Sequence, residues 1–181
     1  MSRLTTLAGI VLLLVAAGCA ATIEVGSHVQ RGLDVSGYRT YDWGAADALP
    51  AGDERLERNA FFQDHLRGAV ERAMARRGFG WSTGAAPDLL VHYHANITER
   101  IDVDRVDVQR GYCGERGCDV STRSYEAGTL VIDVIDTRTN RLIWRGWAQH
   151  AVDDMLRNQD TMARQIESAV TRMFSEFPRP L

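Results

Sequence analysis

The chain contains no lysine: its 21 basic residues, histidine apart, are all arginine, set against 24 Asp and Glu for a formal charge of −3. No basic stripe with interleaved aromatics occurs, which argues against a nucleic acid partner. Arginine clusters grip phosphate or carboxylate bidentately, but these arginines are scattered through helices and turns, as codon bias in a GC-rich genome would leave them. Nucleophile elbow, HExxH zinc motif and P-loop are all missing, and no Ser or Cys stands beside a plausible base. No internal repeat, second domain or Ser/Gly/Pro-rich linker is visible beyond the turn from Pro50 to Asp53. The longest apolar run, Leu4 to Ala17, falls short of the roughly 18 residues a bilayer span requires.

That run follows Arg3 and leads into Ala16-Ala17-Gly18-Cys19, the pattern of a secretory signal peptide over residues 1–18. Its end looks like a bacterial lipobox, with Ala16 where a branched aliphatic is usual. Cys19 is then expected to carry diacylglycerol and to become the mature N-terminus, which places membrane lipid among the partners. Removal of Arg3 makes the chain one unit more acidic.

Lipidation of Cys19 also settles the parity of the three cysteines. Cys113 and Cys118, in GYCGERGCD, remain as a pair expected to form a small disulfide loop in an oxidising periplasm. So short a loop adds about 2 kcal/mol, which staples the loop and not the fold. Four residues separate the two cysteines, whereas a CxxC redox pair has two.

From Cys19 to Leu181 the chain has the size of one domain with a proper core. Residues 19–22 read as lipidated terminus and short tether, and 23–181 as one α+β domain. Between Glu54 and Arg77, Leu56, Phe62, Leu66, Ala69, Val70, Ala73 and Met74 recur at helical spacing, with Asp53 as N-cap and Gly78 as terminator. A second helix is predicted over 158–174, from Met162, Ile166, Ala169, Val170 and Met173. Asp153 and Asp154 are expected to complement its dipole. Leu89, Val91, Tyr93, Ala95 and Ile97 alternate with polar residues, as in a half-buried strand. The segment from Gly128 onward reads as a hairpin turning at 136–140. Shorter strands are predicted over 23–29 and 38–43. The apolar phase slips between Ile101 and Val108, which predicts a bulge or turn near Asp104 and Arg105. The fold expected is a two-layer α+β sandwich, an antiparallel or mixed sheet with two long helices on one face.

GYRTYDW at 37–43, PDLLVHYH at 87–94, GTLVIDVIDTRTNRLIWRGWA at 128–148 and the terminal Phe177-Pro178 resemble, in order and spacing, the uncharacterised Gram-negative lipoproteins grouped as domain-of-unknown-function family 4136. The resemblance covers most of the mature chain. It implies an envelope lipoprotein with an α+β domain and brings no catalytic residues. The cysteine loop departs from it.

Chemistry, if any, would centre on His92 and His94, which share one side of a strand and could ligate a metal if His150, Asp133 or the reduced Cys113 and Cys118 completed the set. Histidines on the polar face of a strand are the simpler reading. Asp102, Asp104 and Asp107 suggest calcium, but the Gly turn and distal Glu of the known loop are missing. The sequence thus points to a non-enzymatic lipoprotein without cofactor, presenting a periplasmic binding or scaffolding domain, with a metal-binding or hydrolytic domain as the alternative. Ala20 and Ala21 follow Cys19 without the Asp that retains lipoproteins in the inner membrane of enteric bacteria. The expected location is the outer membrane, facing the periplasm, with a partner in or beside the membrane.

Overall fold

The computed structural model describes residues 23–45, 52–103 and 122–180. Cys19, Cys113, Cys118, Asp104, Arg105 and Asp107 lie outside them, and with them the expected lipid anchor, disulfide and bulge. Six strands form one mixed sheet. They are β1 (Glu24–Val29), β2 (Thr40–Trp43), β3 (Gly80–Trp81), β4 (Leu89–Val103), β5 (Thr122–Asp136) and β6 (Arg141–Ala151). Their order across the sheet is β1-β6-β5-β4-β2-β3. The pairs from β1 to β4 are antiparallel, and β2 is parallel to both β4 and β3. Helices α1 (Glu54–Glu57), α2 (Ala60–Arg77) and α3 (Gln159–Ser175) complete the fold. The two long ones cover one face, giving the α+β sandwich expected.

The predicted helix from Glu54 is in fact two. Asn59 sits in extended geometry, and its side chain caps α2 by accepting from the Phe62 amide. The apolar spacing runs straight through this break, so periodicity does not register it. Asp53 caps α1, accepting from the Arg55 amide, and Gly78 ends α2 at φ 94°, a left-handed value that favours glycine. Asp153 and Asp154 do not serve α3: a short 3-10 turn, Met155–Arg157, intervenes, and Asn158 is the cap. The strand read from Leu89 to Ile97 continues to Val103.

Buried side chains from both long helices, Leu66, Val70, Met74, Ile166, Val170 and Met173, meet Leu89, Val91, Ile132, Val134 and Trp144 of the sheet. A bulge between Val134 and Ile135 shifts the β5–β6 register, so that Val134 faces Trp144 while Ile135 faces Leu142. Ile143 and Trp144, though consecutive, are both buried. Trp144 packs on Phe174 and Phe177 at centroid distances of 5.0 and 5.1 Å.

Candidate functional site

Among the described residues the other face of the sheet carries no helix, and it holds both sequence-predicted histidines. The register sets one row across four strands: His92 faces Asp133, Asp133 faces Arg145, and Arg145 faces His28. The Arg145 guanidinium donates to both oxygens of Asp133, each at 2.6 Å. Asp133 is only 3 % exposed, and this fork is what allows a carboxylate to be buried there. The next row places His94 opposite Val131 and Val131 opposite Trp147. Trp147 and Leu142 are exposed.

His92 lies on the face expected, but it is not an open polar position: it is 8 % exposed. Gly44 explains the burial. A Cβ there would fall 1.9 Å from His92 Cε1, so the backbone leaving β2 lies directly on the imidazole. Both residues line a cleft of about 280 Å3 with Trp43, Gln63, Arg67 and His94. The Arg67 guanidinium stands 4.9 Å from the Trp43 ring, whose Nε1 donates to Glu71.

Of the groups proposed to complete a metal set, Asp133 and His150 do not converge here, and Cys113 and Cys118 lie outside the described residues. Asp133 is beside His92, yet both its oxygens are committed to Arg145. His150 faces Gly128 in the row of Ile97, on the helix-covered side. Among the described residues no group of three His, Cys, Asp or Glu could hold a metal ion. Asp102 belongs to the regular β4–β5 ladder, opposite Arg123, and not to a loop. What the face presents is planar hydrogen-bonding and aromatic surface.

Two further carboxylates serve the architecture, and sequence reasoning gave them no role. Asp88 Oδ2 accepts from the Arg39 and Thr40 amides at 2.8 and 3.0 Å and from the Thr40 hydroxyl at 3.2 Å. These bonds, led by the Arg39 amide, hold its carboxyl below the usual range. They tie the start of β2 to the start of β4. Asp136 accepts from Tyr38 Oη at 3.1 Å and Thr139 Oγ1 at 2.9 Å. The signal for both was present as Asp-led or Asp-ended apolar strands flanking a Tyr-x-Thr-Tyr segment.

No match is found among curated protein sequences. A solved DUF4136 family protein from Bacteroides thetaiotaomicron shares 13 % identity, with a TM-score of 0.55 over 87 % of this chain and 96 % of that one. The dodecameric PelC of Paraburkholderia phytofirmans shares 8 % identity, with a TM-score of 0.49 over 88 % of this chain and 100 % of that one. The profile of the family described as a domain of unknown function, DUF4136, matches residues 25–179, and the chain belongs to that family.

Proposed function

We propose that the protein is a non-enzymatic lipoprotein of the outer membrane that holds a binding domain against the periplasmic surface for a partner in or beside the membrane. One observation carries this reading: β1 begins at Glu24 and pairs with β6 from its first residue, Glu24 facing Gln149. The four steps from Cys19 to Ile23 span at most about 14 Å, so an anchor on Cys19 keeps the domain at the bilayer. The lipobox-like segment supports the anchor, and the helix-free face, with Trp147 and Leu142 exposed, supports a binding role. A photo-crosslinking residue at Trp147 tests the reading in cells. The native tether is expected to give a crosslink to an outer-membrane or membrane-adjacent protein. Inserting about twenty flexible residues after Ala21, adding some 25 Å of typical reach, should weaken it. An unchanged crosslink with the long tether, or capture of an inner-membrane protein by the native chain, would overturn the reading.

A further inference from the structure

At the end of the sandwich from which the N-terminal segment departs, the core is not filled. A cleft of about 60 Å3 remains between the sheet and the start of the helices. Ala95 and Ala148 flank Leu130 in one cross-strand row, and Gly128 occupies the next. With Ala169 of α3 these small residues line the cleft. Larger side chains at those positions would have closed it.

The cleft is not sealed. Ile23, His150 and Gln165 line both it and a wide adjoining groove of about 1310 Å3. The groove is otherwise polar, with Tyr125, Arg157, Arg164 and the carboxylates of Asp153 and Asp154 among its walls. Neither arginine has an ion-pair partner among the described residues. At the junction Gln165 Oε1 is buried and accepts no hydrogen bond among the described residues. A narrow apolar end that opens past an unpaired acceptor into a polar groove has the shape and chemistry of one kind of ligand.

We infer that this end of the domain binds a single-chain amphiphile, with the tip of its acyl tail in the cleft among Ala148, Ala169 and Met155 and its polar head in the groove beside Arg157 and Arg164. A cavity of about 150 Å3 accommodates the six carbons of benzene, so a cleft of about 60 Å3 takes only about the last two carbons of one chain and excludes a second. The diacyl anchor expected on Cys19 has no free head for the groove, which makes an external amphiphile the better occupant. The inference is independent of lipidation at Cys19.

The experiment uses the full chain in phospholipid nanodiscs and dodecanoic acid bearing a diazirine next to its methyl end. After photolysis, label is expected on peptides containing Phe62, Met155 or Ile166, and unlabelled dodecanoic acid should compete for it. Ala148→Phe should reduce labelling about tenfold, equivalent to roughly two buried methylenes. Ala169→Met fills the cleft from the helix side and should act alike, so that a folding failure of one variant does not remove the test; circular dichroism confirms the fold of each. Arg141→Ala, exposed at the hairpin far from the cleft, should label as the parent does. Label concentrated on the helix-free face, or insensitive to both fillings, overturns the proposal. Unlipidated Cys19→Ala protein is expected to label equally; labelling of that variant alone would mean that the protein's own anchor occupies the site, and would overturn an external ligand.

Discussion

The two ends of the sandwich are built from the same strands and helices but packed on different principles. At the end where β4 and β6 begin, Trp144, Phe174, Phe177 and Phe79 interlock at centroid distances from 5.0 to 5.6 Å. The boundary there is closed by Asp88 and Asp136, which accept from Thr40 and Tyr38. At the opposite end the inward positions include the small residues Ala95, Gly128, Ala148 and Ala169, and Gln165 Oε1 is buried without a partner among the described residues. Each end holds one buried polar atom without a partner among the described residues, Trp144 Nε1 at the first and Gln165 Oε1 at the second, so the ends differ in how volume is filled, and stability concentrates where it is filled. The difference teaches that this domain concentrates its aromatic packing at the end far from the N-terminal segment and leaves a cleft at the end that the expected anchor would bring to the membrane.

Truncation at the filled end should break the protein most. Trp144→Ala removes a fully buried indole and is expected to cost about 4 kcal/mol, read from chemical denaturation. A loss below about 1 kcal/mol would mean that the two ends are packed alike.

A smaller effect is expected at the boundary of the same end, and it depends on pH. Asp88→Asn keeps an acceptor oxygen but loses the charge, a change of about 1 kcal/mol at neutral pH. The folded carboxyl titrates below its ordinary value, so as pH falls the unfolded chain takes up the proton first. The stabilisation is therefore fully present above the unfolded value of about 3.9 and is lost as pH falls through the lower folded value. Urea midpoints of parent and variant should differ at pH 7 and converge below about pH 4. A constant gap across that range would assign the effect to geometry and not to charge.

The open end should respond in the reverse direction. Gln165→Leu removes an unpaired buried acceptor from an apolar lining and is expected to stabilise the ligand-free domain by up to about 1 kcal/mol. A loss of stability in thermal unfolding would show that the amide is paired, so that the open end would respond as the filled one does.

Much of the fold was readable before any coordinates. Leu89, Val91, Ala95 and Ile97 alternate because one side of β4 is buried under helices, and the structure buries those four. The stripe from Phe62 to Met74 likewise became the inner side of α2. The helix break at Asn59 was hidden because a cap alters one residue's backbone without disturbing the apolar spacing around it. The Asp133–Arg145 pair was hidden for a different reason. Continuing the register of Asp136 with Arg141 and Ile135 with Leu142 would set Asp133 opposite Trp144; the bulge instead sets it opposite Arg145 and turns Trp144 into the core. One extra residue thus determines which side chains share a face. His92 and His94 were correctly placed on one side, since strand alternation is local. That Gly44 would lie on His92, and that His150 would face the other way, depended on contacts between distant strands.

The family came from the resemblance of whole motifs, while period and capping residues by themselves determined the class of fold and the count of long helices. These are local properties, set by how a helix or strand buries one side. Tertiary structure alone decided which end of the core is full and which is hollow, and which carboxylate meets which arginine. Those outcomes depend on register and on the mutual fit of residues far apart in the chain, and no window of sequence contains both members of the pair.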